Sequence, residues 1–173
     1  MKKVLVLDFG GQYNLLVARR VRECGVYCEI KSFRMSMEEI RAFAPDALIF
    51  TGGPATVFEP NAPMVDKALF EMGIPVLGIC YGEQLMMHLL GGQCRKAETR
   101  EYGKVELTHK ESPLFADVPE TAVYWMSHGV EVERMAPGFE IIGSTEGWLH
   151  AAVQCGDKKL YGVQFHPEVL HTE

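Results

Sequence analysis

Short apolar runs alternate with helix-like patterns along the first half of the chain. Apolar runs predict four β-strands, at 4–7, 26–31, 47–51 and 75–79. The spacing of apolar positions predicts helices at 12–23, 37–43, 64–72 and 81–90, and glycine or proline follows each of them. Such apolar strands, each followed by a helix, indicate a parallel sheet that is buried on both faces. The pattern therefore predicts an α/β fold.

The second half contains five more candidate strands and few helix signals. They lie at 105–108, 122–126, 140–144, 151–154 and 160–164, with turn residues between them. This predicts an antiparallel extension whose last strand returns to the parallel sheet. With no linker or repeat, residues 1–173 are expected to form one domain. Only nine residues follow residue 164, so a closing C-terminal helix is expected to be missing, either because a short tail suffices or because the chain is cut from something longer.

Composition excludes several classes of function. The 173 residues carry a net charge of −6, which argues against a nucleic-acid-binding protein, and no apolar run is long enough to span a membrane. The five cysteines are irregularly spaced and form no CxxC pair, so neither a zinc site nor another metal site is expected. These features favour a reduced, cytoplasmic protein.

Cys80 is the strongest candidate for a catalytic residue. It follows a predicted buried strand and opens a helix within Gly78-Ile79-Cys80-Tyr81-Gly82, the G-x-nucleophile-x-G pattern of a nucleophile elbow. A helix N-terminus stabilises a thiolate, and the backbone N–H of Tyr81 is expected to face a developing oxyanion. A packed core thiol is the usual state of a cysteine, but the two glycines at these offsets favour the nucleophile.

His166 and Glu168 are the candidate base and its orienting residue. They flank Pro167 just after the last predicted strand, and the spacing allows Glu168 to hold the imidazole while its other nitrogen faces a thiol. A surface pair beside a turn is the alternative. The position at a strand end, in a chain that already has an elbow, favours the catalytic interpretation.

Two glycine-rich loops are candidates for contact with a substrate. Gly52-Gly53-Pro54 follows the third predicted strand, and the Gly53 N–H is a candidate second oxyanion donor, although a plain turn is the commoner meaning of this sequence. The loop at 8–12 lacks the glycine patterns of nucleotide-binding loops.

The motifs together resemble the class I (triad) glutamine amidotransferases. The segments 78–84 (GICYGEQ) and 164–168 (QFHPE) carry this resemblance. Further segments are similar to the amidotransferase part of the GMP synthases: 8–14 (DFGGQYN), 52–54 (GGP), 100–103 (REYG), 126–129 (MSHG) and 166–172 (HPEVLHT). The resemblance implies a flavodoxin-like fold, with a central, mostly parallel sheet, flanking helices and a smaller antiparallel sheet.

The resemblance also implies a reaction. Cys80 would attack the glutamine side-chain amide, His166 would protonate the departing ammonia, and Glu168 would orient His166. Backbone groups of Gly53 and Tyr81 would form the oxyanion hole. The residues implied to bind glutamine are Gly52, Gln84, Ser127, His128, Gly129 and Val130.

A partner is implied as well. The ammonia would pass to an ATP-pyrophosphatase domain that converts XMP to GMP, and ATP and magnesium would bind there, leaving this domain without a cofactor. Two positions depart from the pattern: Val130 stands where the family often has an acidic residue, and Glu83 stands where an apolar or neutral residue is common. Helix geometry is expected to turn Glu83 away from the thiol.

Three other functions are compatible with parts of the pattern. A class I amidotransferase of another pathway would share the elbow and the His-Pro-Glu segment. A catalytically silent glutamine-binding module would keep the fold, although the complete triad argues against it. A cysteine hydrolase or peptidase on a related sheet is a further alternative, but no sequence feature favours it.

Overall fold

The computed structural model describes residues 1–169 and 172, without the side chains of residues 99–101 and 128. Within this part of the chain there are three α-helices: α1 (Asn14–Glu23), α2 (Met37–Phe43) and α3 (Tyr81–Leu89). The strands are β1 (Lys3–Asp8), β2 (Tyr27–Ser32), β3 (Ala47–Phe50), β4 (Val76–Ile79), β5 (Gln93–His109), β6 (Thr121–Arg134), β7 (Glu140–Ser144), β8 (Ala152–Cys155) and β9 (Leu160–Val163).

The strands form one mixed sheet in the order β2-β1-β3-β4-β9-β8-β7-β5-β6. The first five strands of this order pair in parallel, and their arrangement is the doubly wound order of flavodoxin-like folds, with β9 in the fifth place. The remaining pairings are antiparallel. The α/β class and the return of the last strand to the parallel sheet are confirmed.

Alternating side chains of the parallel strands build two apolar layers. Leu5 and Leu7 face the layer that contains α2 and α3, whereas Val6 faces the layer that contains Val17 and Ala18 of α1. The inner parallel strands β1, β3 and β4 are therefore apolar on both faces, which explains why their sequences lack the polar–apolar alternation of a half-exposed strand. The edge strand β2 does alternate, with Cys28 and Ile30 on the core face. The same packing holds the carboxyl ends of β1, β3, β4 and β9 side by side at one edge.

The helix expected at 64–72 is wrong in type and length. The chain forms only a 3₁₀ helix at Lys67–Glu71. The Asp66 side chain accepts a hydrogen bond from the Ala68 N–H, and Gly73 adopts φ +75°, so a cap and a chain reversal lie close together. The short segment between the cap at Asp66 and the reversal at Gly73 accommodates a short 3₁₀ helix rather than an α-helix.

The antiparallel strands β5 and β6 are much longer than expected. The sequence predicts strands at 105–108 and 122–126, whereas the structure pairs Gln93–His109 with Thr121–Arg134 in a long ribbon. The added stretch of β5 has a mostly polar sequence in which only Cys94 and Ala97 pack on the core, so period-2 alternation does not reveal it. One consequence concerns the site: residues 127–130 lie within β6, not in a loop after a strand.

Candidate active site

Cys80 occupies a sharp turn between β4 and α3. It is the N-cap of α3 and adopts φ +59° and ψ −108°, a conformation that non-glycine residues rarely adopt. A Cβ on Gly78 would lie 2.5 Å from the carbonyl oxygen of Gly82, and a Cβ on Gly82 would lie 2.6 Å from the carbonyl oxygen of Phe50. Only glycine fits at both positions, which is the steric requirement that the elbow pattern predicts.

The sulfur of Cys80 is buried at the end of this turn. The Cys80 N–H donates to the Val163 carbonyl at 2.7 Å, which ties the elbow to the end of β9. Burial raises the pKa of the Cys80 thiol well above its ordinary value, and the negative charge of Glu168 raises it further. A hydrogen bond from the Tyr81 backbone N–H lowers it. Ionisation therefore needs a nearby base.

His166 is held by a buried carboxylate. Its Nδ1 lies 2.7 Å from Oε1 of Glu168, and the two side chains are 7% and 4% exposed. The backbone is fixed too: the His166 N–H donates to the Trp125 carbonyl at 2.9 Å, and Nε of Arg20 donates to the Glu168 carbonyl at 3.0 Å. A proton on Nδ1 would bond Glu168, leaving Nε2 to accept a proton from a thiol.

One open cavity of about 720 Å³ brings the three side chains together. Cys80, His166 and Glu168 all line it. A Cβ on Gly52 would lie 3.3 Å from Cε1 of His166 and 3.4 Å from Cβ of Cys80, so the absence of a side chain there leaves the space between base and nucleophile open. The volume is ordinary for a small-molecule site.

The two glycine loops interlock at the floor of this cavity. A Cβ on Gly11 would lie 2.5 Å from the Gly52 carbonyl oxygen, and a Cβ on Gly53 would lie 2.5 Å from the Phe9 carbonyl oxygen. Oγ1 of Thr51 joins them, because it accepts from the Phe9 N–H at 3.1 Å and donates to the Gly52 carbonyl at 3.1 Å. Gly52 and Gly53 line the cavity. The role of Gly53 as an oxyanion donor stays a prediction.

The residues implied to bind glutamine divide into two groups. Ser127, Gly129 and Val130 of β6 line the cavity. Gln84 is fully buried in α3 and does not line it; its Nε2 donates to the Val130 carbonyl at 3.4 Å. Gln84 therefore reaches the cavity wall through the β6 backbone. The side chain of His128 lies outside the described part of the structure.

A family model for glutamine amidotransferase class-I matches residues 5–173. The chain belongs to this family. It is similar to proteins named GMP synthase [glutamine-hydrolyzing], with 55% identity over 173 residues to that of Lachnospira eligens and 57% over 171 residues to that of Caldicellulosiruptor saccharolyticus. These alignments cover 99% and 98% of this chain but 33% and 34% of the relatives, so the chain spans about a third of their length.

Solved structures support the same class I amidotransferase fold. A candidate GMP synthase subunit from Thermoplasma acidophilum matches with a TM-score of 0.92 and 28% identity, over 100% of this chain and 87% of the other. A glutamine amidotransferase from Thermotoga maritima matches with a TM-score of 0.76, over 97% of this chain and 76% of the other. Its identity of 20% makes that match evidence for the fold alone.

Several cavity residues of this amidotransferase were not assigned from the sequence. The Tyr13 ring stands edge-on to the His166 ring with centroids 5.4 Å apart, and Glu59 and Lys96 place opposite charges on the cavity lining. The position of Tyr13 beside the glycine loop after β1 could have indicated that it lies at the cavity. No feature of the neighbouring sequence indicates that Lys96, rather than another lysine, lines the cavity. Among the described residues, no group of three or more His, Cys, Asp or Glu side chains could hold a metal ion.

The full burial of Glu83 was not predicted from the sequence. This residue points away from the cavity lining but is fully buried against β9, where a Cβ on Gly162 would lie 2.8 Å from Cγ of Glu83. Its two carboxyl oxygens have no hydrogen-bond partner among the described residues. Burial raises the pKa of Glu83 well above its ordinary value. Burial therefore favours the protonated form of the Glu83 carboxyl group.

Proposed function

We propose that this chain hydrolyses glutamine to glutamate and ammonia, and that the ammonia is used to convert XMP to GMP. The observation that carries the hydrolysis is the geometry at Cys80: a strained cysteine at the N-terminus of α3 shares a cavity with a histidine whose Nδ1 is bonded to a buried carboxylate. The names of relatives that are more than 50% identical support the use of the ammonia.

The geometry supports a two-stage reaction. Nε2 of His166 takes the Cys80 proton as the sulfur attacks the side-chain amide carbon, and Glu168 stabilises the resulting imidazolium. The backbone N–H groups of Gly53 and Tyr81 would bind the oxyanion. The C–N bond then breaks as His166 returns the proton to the departing ammonia, which leaves a glutamyl thioester. Water, deprotonated by His166, cleaves the thioester to glutamate and restores the Cys80 thiol.

The destination of the ammonia follows from the relatives. The chain spans about a third of proteins named GMP synthase [glutamine-hydrolyzing], so most of each relative lies outside the matched region. We place an ATP-pyrophosphatase partner there, either in the same polypeptide or in a separate one. ATP and magnesium would act in that partner, in a cytoplasmic enzyme. None of the described helices is long and apolar enough to cross a membrane.

The test is glutamate release with and without an XMP-aminating synthetase. Cys80→Ala is expected to lower the rate by at least about a thousandfold, because it removes the nucleophile. Cys28→Ala is the matched control: Cys28 is equally buried, bonds the Ala18 carbonyl and lies outside the cavity. Parental rates in the Cys80 variant would refute the hydrolysis. Glutamine-dependent GMP formation in the mixture is expected, and glutaminase activity without it would point to another pathway.

A silent glutamine-binding module is distinguished by labelling. A glutamine-mimicking electrophile is expected to modify Cys80 stoichiometrically, since the sulfur faces the cavity. Mass spectrometry of the peptide that contains Cys80 measures the modification. No modification of this peptide in the presence of the synthetase would contradict the catalytic role.

A further inference from the structure

Gln164 is a buried amide that stands against the catalytic sulfur and has no part in the reaction described above. Its Nε2 lies 3.9 Å from Sγ of Cys80, and the residue is 0% exposed. Its Oε1 is buried and has no hydrogen-bond partner in the described part of the chain. A buried amide with an unpaired oxygen costs stability, which an apolar side chain of similar size would avoid.

The backbone around Gln164 fixes the amide in this place. Gln164 directly follows β9, and its N–H donates to the Ala151 carbonyl at 2.8 Å. Val163, one residue earlier, accepts the hydrogen bond from the Cys80 N–H. One residue later, the Phe165 ring packs on Tyr124 with centroids 4.2 Å apart. The sulfur and the amide are therefore tied to the same end of β9.

The electrostatic surroundings of Cys80 give the Gln164 amide a role that an apolar side chain could not fill. Burial and the negative charge of Glu168 oppose the thiolate of Cys80, and the Tyr81 N–H favours it. An N–H donor beside a developing negative charge stabilises the charged form, and hydrogen bonds to charged groups are stronger than those between neutral groups. The amide of Gln164 is such a donor, and it keeps its N–H groups at every pH at which the protein is folded.

We propose that Gln164 is a positioning residue for the reaction at Cys80: its side-chain amide donates a hydrogen bond to the sulfur, favours the thiolate and holds it toward the cavity. It acts through Cys80 and not on the substrate, because it does not line the cavity. The inference deepens the proposed function, but its main test does not depend on glutamine as the substrate.

The test replaces Gln164 with methionine, which keeps the length of the side chain and removes the donor. The rate of Cys80 alkylation by iodoacetamide is followed from pH 6 to 9 by mass spectrometry of the peptide that contains Cys80. Below the midpoint of the titration, this rate is proportional to the thiolate fraction. Gln164→Met is expected to lower it by about tenfold at each pH, equivalent to a rise of about one unit in the pKa of Cys80.

Gln154→Met is the matched control. Gln154 is also a buried glutamine, on β8, but its side chain bonds Ser112 and Glu140 instead of the sulfur. It is expected to leave the alkylation profile of Cys80 unchanged. A parental profile in Gln164→Met, or an equal fall in Gln154→Met, would overturn the proposal. If Gln164→Met does not fold, Gln164→Asn replaces it, because asparagine is one methylene shorter and moves the amide away from the sulfur. The alkylation rate of Cys80 is then expected to fall in Gln164→Asn. A parental alkylation profile in that variant would also overturn the proposal.

Glutamine kinetics separate this inference from the proposed function. Gln164→Met is expected to lower kcat with little change in KM, because the amide acts on the nucleophile and not on bound glutamine. A rise in KM with unchanged kcat would overturn the positioning role. If the parent protein shows no glutaminase activity but the alkylation profile still falls in Gln164→Met, the proposed function fails and the inference about Gln164 stands.

Discussion

Replacing Glu83 with glutamine tests whether the folded protein holds a protonated acid beside β9. The substitution keeps the shape of a side chain that is fully buried and whose oxygens have no hydrogen-bond partner among the described residues. It removes the ability to ionise and replaces one oxygen with an NH2 group, whose effect on stability does not vary with pH. Burial raises the pKa of Glu83 well above its ordinary value of 4.5. Folding and ionisation of this residue are therefore coupled.

The sign and size of the effect follow from this shift. Below pH 4.5 the carboxyl group is protonated in both the folded and the unfolded chain, so Glu83 contributes no pH dependence. Above that pH the unfolded chain loses the proton while the folded protein keeps it. The free energy of unfolding then falls by about 1.4 kcal/mol per pH unit until the pH reaches the raised pKa.

The assay is urea denaturation of the parent and of Glu83→Gln at several pH values from 5 to 7. All other titrating groups are common to both proteins, so they cancel in the difference. Up to the raised pKa of Glu83, the variant is expected to gain on the parent by about 1.4 kcal/mol with each pH unit. Glu106→Gln, at an exposed position on β5, is the control and should show no such trend. A difference between Glu83→Gln and parent that is constant over this range would refute the reasoning.

Two further substitutions test the elbow and the triad. Gly82→Ala would place a methyl group 2.6 Å from the Phe50 carbonyl oxygen. It is expected to lower the free energy of unfolding, measured by denaturation, by about 1–3 kcal/mol and to reduce glutaminase activity. Gly156→Ala is the control and should be tolerated, because nothing lies within 4 Å of a Cβ at that position. Equal stabilities of the two variants would contradict this. Glu168→Gln keeps a contact to His166 but cannot balance an imidazolium charge, so kcat should fall by about 10²–10⁴-fold in steady-state assays, and a rate within twofold of the parent would count against the triad.

The sequence predicted those features of the site that depend on neighbours in the chain. The elbow at Cys80 needs glycine two positions before and after it, and the structure shows that both close contacts are real. His166 and Glu168 are two residues apart, so their hydrogen bond is a local feature as well. The parallel strands were predictable because burial on both faces leaves an apolar run.

Features that depend on tertiary packing were not predictable in the same way. Gln164 was the end of a predicted strand and part of the segment that carries the resemblance, but it had no role of its own, because its contact with the sulfur arises when β9 pairs with β4. Glu83 was expected merely to turn away from the thiol, but its burial depends on the absence of a side chain at Gly162, 79 residues further along the chain. The length of β5 was missed because its polar residues carry no alternation.

The groups around the Cys80 sulfur explain why its ionisation must be coupled to His166. Glu168 opposes a lone thiolate by its charge, yet the same carboxylate stabilises the imidazolium that forms when His166 takes the proton. The Glu168 carboxylate therefore destabilises the thiolate but stabilises the imidazolium. The stabilising effect arises only when the proton moves from the sulfur to the imidazole. Before an oxyanion forms, the N–H donors of Tyr81 and Gln164 both act on the sulfur. Transfer of the proton to His166 therefore produces the nucleophile together with the charge that Glu168 stabilises, inside the cavity that Cys80 and His166 both line.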